Sequence, residues 1–176
     1  MQYKCRVTVI DKKCFPELQN KYLADPKSGE CPFYNVGDTF LFERYGDEDT
    51  FWREGNGTQC AEAWDCISRY IYTALQGGSI MRNWTNDEHM MIACCNDGTR
   101  PVIFKIERLD YKVVKFSGAD GTAAEEKVRA LAGVLGAQWR AEKGWLEVFT
   151  DRNAPVSDEA IRGAVSACGG EVTAIE

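Results

Sequence analysis

The sequence predicts an α+β fold in two parts, and three observations carry that prediction. Apolar residues alternate at period two in several short runs, and they recur at helical spacing in others. The chain also changes character near Asp110: residues 1–110 are aromatic, cysteine-rich and irregular, whereas residues 111–176 hold few aromatics, one cysteine and clean periods. With 176 residues, 44% apolar and 27% charged, it is long enough for one good core or two small ones. No Gly/Ser linker separates the parts between Arg108 and Lys115, so close docking or a shared strand direction is expected.

In residues 1–110, Gln2 to Ile10 alternates Tyr3, Cys5, Val7 and Val9 against Lys4, Arg6 and Thr8, which is a strand pattern. Phe15 to Leu23 fits a short helix, and Thr39 to Glu43 fits a strand. Cys60 to Leu75 is the clearest helix of this part, with Trp64, Ile67, Ile71 and Leu75 on one stripe and Gly77-Gly78 ending it. Met90 to Cys95 and Val102 to Leu109 are β-like, and Asn96-Asp97-Gly98 between them predicts a hairpin.

Residues 111–176 read β-α-β-β-α-β: Lys112 to Phe116, Ala123 to Ala132, Ala137 to Arg140, Trp145 to Thr150, Ser157 to Ala167 and Glu171 to Ile175. Ser157 suits an N-cap, Asp158 and Glu159 suit the first turn, and Gly169 suits the C-terminal end of the same helix. That order is the ferredoxin-like split arrangement.

Composition narrows the function. The formal charge is −6 and no basic stripe is present, which argues against nucleic acid and anionic membrane as partners. No apolar run is long enough to span a bilayer, and MQYKCRVTVIDKK alternates like a strand instead of a signal peptide, so a cytoplasmic protein is expected. Seven of the eight cysteines (Cys5, Cys14, Cys31, Cys60, Cys66, Cys94, Cys95) lie in the first 95 residues. In a reducing compartment that favours metal binding or redox chemistry over disulfides.

Two resemblances add to this reading. Residues 111–176, through Ser117-Gly118, the helix bearing Val128 and Leu131, and the ending AIRGAVSACGGEV, resemble the heavy-metal-associated domain of copper chaperones and metal-transporting ATPases. That family carries Cys-x-x-Cys after the glycine. Gly121 and Ala124 stand in those places here, so the resemblance implies a docking or dimerising module that binds no metal in the family's way, with Cys168 structural. Residues 1–110 resemble a family of small, largely uncharacterised cysteine-rich bacterial and archaeal proteins. The matching elements are Cys31-Pro32-Phe33, Gly37-Asp38-x-Phe40, Cys60-Ala61-x-Ala63-Trp64-Asp65-x-Ile67, Gly77-Gly78 and Cys94-Cys95-x-Asp97-Gly98-x-Arg100-Pro101-Val102-x-Phe104.

The cysteines sort by their local sequence. With Thr58 as N-cap, Cys60 falls at the second helical position, where exposed N–H groups and the helix dipole favour a thiolate. Cys31 precedes Pro32 and so lies on extended loop backbone. Consecutive strand residues point to opposite faces, so Cys94 and Cys95 reach one site only if the strand end is twisted or bulged; in a regular strand Cys95 is the ligand and Cys94 is core. Cys5 shares the apolar face of its strand. Cys66 sits about 240° round the helix from Cys60 and is assigned to core or interface. His89 reads as a solvated turn residue, Asp97 as a turn stabiliser, and Arg100 as a partner for Asp65 or an anion. The acidic run at Asp47 to Asp49 reads as a solvated turn.

The first functional expectation is a non-catalytic metal- or cofactor-handling protein. Cys31, Cys60, Cys94 and Cys95 would bind zinc, with Cu(I) or an Fe–S centre as alternatives, and the second part would serve self-association or docking to a protein partner. The competing expectation is a thiol-dependent redox protein or enzyme, in which Cys60 attacks, Cys94 or Cys95 resolves and Arg100 orients an anionic substrate. A third is a structural assembly protein with buried cysteines and an aromatic patch at Phe51 and Trp52.

Overall fold

A computed structural model describes residues 2–43 and 60–176. The acidic run, Phe51, Trp52 and the expected cap at Thr58 lie outside the described residues. The chain is α+β, its strands mostly antiparallel, and it divides into two compact units, Tyr3–Arg108 and Leu109–Glu176, the latter together with Gln2. No described helix is long and apolar enough to cross a membrane.

The first unit contains β1 (Gln2–Lys12), α1 (Pro16–Tyr22), β2 (Thr39–Glu43), α2 (Ala61–Leu75), β3 (Met90–Cys94) and the first half of β4 (Val102–Ser117). β1 lies between β2 and β4, and β3 pairs with β4 antiparallel. In register, Cys5 faces Phe42 and Val7 faces Phe40, while Cys94 faces Ile103. The alternation of β1 does what its sequence suggests: Cys5, Val7 and Val9 are fully buried. α2 lays Ala63, Ile67, Ile71 and Ala74 on the same core, which Phe42, Val102, Phe104 and Ile106 complete. Trp64 and Leu75 of the expected stripe border that core and are only partly buried.

Gly77 ends α2 with φ +78°, and a Cβ there would meet the Tyr3 ring at 2.3 Å, so both the backbone and the packing require glycine. The carbonyls of Gly77 and Gly78 accept hydrogen bonds from the Arg108 guanidinium at 2.5 and 3.1 Å, and that group also lies over the Tyr3 ring. A buried arginine is held here by carbonyl oxygens and an aromatic face.

The second unit contains the rest of β4, then α3 (Gly121–Arg129), β5 (Val134–Arg140), β6 (Trp145–Thr150), α4 (Asp158–Ser166) and β7 (Glu171–Ile175). Its strands lie in the order β7-β4-β6-β5 and pair antiparallel. One face of the sheet and both helices bury Val114, Val128, Leu146, Val148, Ile161 and Val165. Ser157 caps α4 by accepting from Ala160 N–H at 3.1 Å.

Of the boundaries that differ from expectation, three have a clear physical cause. The strands expected at 102–109 and 112–116 are one strand, β4, because no glycine or proline interrupts the segment. α3 begins at Gly121, two residues early, because Asp120 caps it by accepting from Ala123 N–H at 2.9 Å. β5 begins at Val134, three residues early, and a register shift between Val134 and Gly136 conceals its alternation in the sequence.

Candidate thiol site

Three segments of the first unit bring thiols to one hydrophobic core: Cys31 and Cys95 are buried in it with Tyr34, and Cys60 packs against it. Cys31 lies between α1 and β2 and is buried. The approach to it is pinned by Gln19 of α1, 1% exposed, whose amide donates to Gly29 O at 2.9 Å and accepts from Gly29 N–H at 3.0 Å. Tyr34, just past Pro32, is buried edge-on against Phe40 and Phe104, with ring centroids 6.0 and 5.5 Å away.

Cys60 is itself the N-cap of α2, with extended backbone, and not the second helical residue. Its carbonyl accepts the first helical bond from Trp64 N–H at 3.0 Å, and its side chain makes no capping bond, so the half-exposed sulfur is left for other chemistry. An anion at this position meets the positive end of the helix dipole.

β3 ends at Cys94, and the vicinal pair divides there. Cys95 turns inward and is 8% exposed; its N–H donates to Val102 O at 3.1 Å, and its Sγ accepts from Val102 N–H at 3.3 Å. Cys94 is exposed, so it is neither core nor a companion of Cys95 in one cluster. Strand alternation at a regular end explains both facts.

The electrostatics tie the inner group together. Burial raises the Cys95 thiol pKa, N–H groups of Val102 and Asp97 oppose the rise, and negative charge on Cys31 or Cys60 adds to it. The Tyr34 phenol is raised by burial first, then by charge on Cys60, with Cys31 and Cys95 adding smaller contributions, while the Cys60 N–H works against them. Tyr34 thus feels charge on Cys31, Cys60 and Cys95 and shares their core cluster. Arg100 is held cationic chiefly by its hydrogen bond to Asp97, at 2.9 Å, and it also feels charge on Cys31 and Glu62. Its partner is therefore Asp97; Asp65 instead accepts from Asn96 Nδ2.

Asp97 does stabilise its turn, accepting from Thr99 N–H, Thr99 Oγ1 and Arg100 N–H. His89 also bonds locally: its N–H donates to Asp87 Oδ1 at 2.9 Å. Cys5 is fully buried in the core, and burial pushes its thiol pKa far up. All eight cysteines are free thiols. Among the described residues, no three His, Cys, Asp or Glu side chains are arranged to hold a metal ion. The four-cysteine set is therefore reduced to a three-thiol group, without the close tetrahedral donor geometry of a structural zinc site.

Two contributors had no reliable signal in the sequence. Gln19 reads as a polar helix residue, yet it is the peg that fixes the Cys31 loop. Tyr34 offers only its aromatic bulk next to a Cys-Pro pair, and its place among three thiols follows from tertiary packing.

In the second unit, the positions matching the expected metal loop are filled. Ala124 is fully buried, and a Cβ at Gly121 would meet the Trp139 indole at 2.1 Å. Comparisons with family models, with curated proteins and with solved structures find no match for the chain.

Proposed function

We propose that the first unit is a thiol–disulfide exchange domain working through Cys31, Cys60 and Cys95. The observation that carries this reading is that three free thiols from a loop, a helix start and a strand end share one core cluster with Tyr34, Cys31 and Cys95 buried in it and Cys60 packed against it and only partly buried. The Cys60 thiolate attacks one sulfur of a substrate disulfide, forming a mixed disulfide and releasing one thiolate. Cys95 then loses its proton to solvent and attacks Cys60 Sγ. The second substrate thiolate leaves, a Cys60–Cys95 disulfide remains, and two electrons have passed to the substrate. Burial keeps Cys95 protonated until that step, and Arg100 gives the Cys31 side of the site a positive charge. A low-molecular-weight thiol restores the dithiol. Eight free cysteines suit a reducing compartment such as the cytoplasm.

Metal handling is the second reading, favoured by the same convergence. Cys31, Cys60 and Cys95 would draw together around a soft ion such as zinc or Cu(I). We further propose that the second unit, whose β-α-β-β-α-β order and β7-β4-β6-β5 strand order suit a ferredoxin-like fold, is an association module for a second copy or a protein partner.

Anaerobic purification without an affinity tag, elemental mass spectrometry and an assay with a small aromatic disulfide separate the readings. Exchange predicts metal-free protein that reduces the disulfide rapidly, with loss of the rapid phase in Cys60→Ser. Stoichiometric metal that disappears in Cys60→Ser would replace exchange by metal handling.

A further inference from the structure

Among the described strands β3 pairs only with β4, and its hydrogen bonds show which of its backbone groups are used. Arg108 N–H donates to His89 O at 2.9 Å, and Cys95 N–H donates to Val102 O at 3.1 Å. The register between them sets Met91 opposite Ile106 and Ala93 opposite Phe104. Bonded and non-bonded pairs alternate in an antiparallel ladder, so Met91 and Ala93 bond to β4, while Met90, Ile92 and Cys94 aim their N–H and C=O groups away from it. The turn before the strand takes up Met90: its N–H donates to Asp87 O at 3.0 Å, and its carbonyl accepts from Thr85 Oγ1 at 3.0 Å. Among the described residues, nothing takes up the N–H and C=O groups of Ile92 and Cys94.

The outer strands of the second unit are treated differently. Glu125 of α3 accepts from Trp139 N–H on β5, and Arg162 of α4 donates to Val172 O on β7 at 2.9 Å. β3 has no such guard at Ile92 and Cys94, no charged residue from Met90 to Cys94, and exposed side chains at both positions. An open, uncharged edge is a template for another strand.

We propose that β3 pairs antiparallel with β3 of a second copy of this chain, joining the two sheets across a twofold axis at Ala93. The free groups select both the partner and the register. With Ala93 opposite Ala93 of the second copy, Ile92 exchanges both of its bonds with Cys94 of the second copy, and Cys94 does the same with Ile92 of the second copy. Every free N–H and C=O of the two edges is then used. A register with Ile92 opposite Ile92 of the second copy would call on the Met90 groups, which are already taken. The edge is thus complementary to itself, as a twofold interface requires. Ile92 of each copy packs beside Cys94 of the other, covering both exposed side chains. The surface belongs to the first unit and needs none of the inner thiols.

The test is sedimentation velocity of the reduced full-length protein over a concentration series, with hydrogen–deuterium exchange read on the peptide that contains β3. A reversible dimer is expected, with slower exchange of the Ile92 and Cys94 amides and slower alkylation of Cys94 as the dimer fills. Ile92→Lys, a change at an exposed position, should be monomeric where the wild type is dimeric. Ile92→Pro removes an outward N–H without touching a bond to β4 and should behave alike. Leu135→Lys, on the guarded edge of β5, should leave the dimer intact. A wild type that stays monomeric throughout, a dimer whose β3 amides exchange as in the monomer, or a dimer that survives Ile92→Lys would each overturn the pairing; loss of that surviving dimer in Leu135→Lys would assign association to the second unit instead.

Discussion

At the scale of the residue, charge and space decide most of what is placed near the thiols. Asp97 accepts four hydrogen bonds, from Thr99 N–H, Thr99 Oγ1, Arg100 N–H and Arg100 Nε. Burial pushes its carboxyl pKa up, but these bonds outweigh that and leave it below the ordinary carboxylate value. A depressed folded-state pKa means that the stabilisation is complete above the unfolded value, about 3.9, and is lost as pH falls through the folded one. Asp97→Ala should therefore cost about 1.5–3 kcal/mol in urea unfolding at pH 7, and the difference from wild type should shrink below pH 4. An undiminished difference at the acid end would mean that the carboxylate charge is irrelevant. Two glycines give opposite expectations. Gly121→Ala drives a methyl into the Trp139 ring and should destabilise by about 1–3 kcal/mol. Gly163→Ala in α4 meets nothing within 4 Å and should stabilise by about 0.5–1 kcal/mol. Equal melting temperatures for the two variants would contradict the packing described.

At the scale of the element, the edge of β5 is occupied by its own helix. Glu125 of α3 accepts from Trp139 N–H at 2.7 Å, and Arg129, paired with Glu125, donates to Ala137 O at 2.7 Å. Two side chains one helical turn apart take the place of a neighbouring strand, which protects an edge that also exposes Leu135. Glu125→Ala with Arg129→Ala should lower stability by about 1–2 kcal/mol and raise the sedimentation-average mass at high concentration. An unchanged mass would show that the pair does not guard against strand addition. Elements of this kind were legible in the sequence to unequal degrees. The cap at Ser157 and the alternation of β1 are local patterns, and they fold as they read, whereas the α2 stripe does so in part, burying Ile67 and Ile71 but leaving Trp64 and Leu75 at the core's border. The start of β5 is hidden by a register shift, the single strand β4 by two short alternations that run together, and the cap at Asp120 by an expected helix start two residues too late. Cys95 and Cys94 illustrate the limit at the site: alternation predicts that they part, but only tertiary packing shows that Cys95 is buried and Cys94 exposed.

At the scale of the whole molecule, the first unit carries seven of the eight cysteines and the second an open antiparallel sheet with two helices and one cysteine. The Cys168 thiol there donates to Ala123 O at 3.6 Å and takes no part in the exchange scheme. Sequence alone could name Cys31, Cys60 and Cys95 as candidates because a Cys-Pro loop, a helix start and a strand end are each recognisable. It could not show that they share Tyr34, since their convergence depends on Gln19 fixing one loop and on β3 ending at Cys94. The most direct measurement is disulfide mapping after one equivalent of a small aromatic disulfide reacts with reduced, metal-free protein. The account predicts that a Cys60–Cys95 bridge forms while Cys5 stays unmodified, and that this bridge is absent from Cys60→Ser. A protein whose Cys60 is modified without bridging, or which leaves Cys60 unreacted while Cys94 alone responds, would contradict an inner three-thiol exchange site.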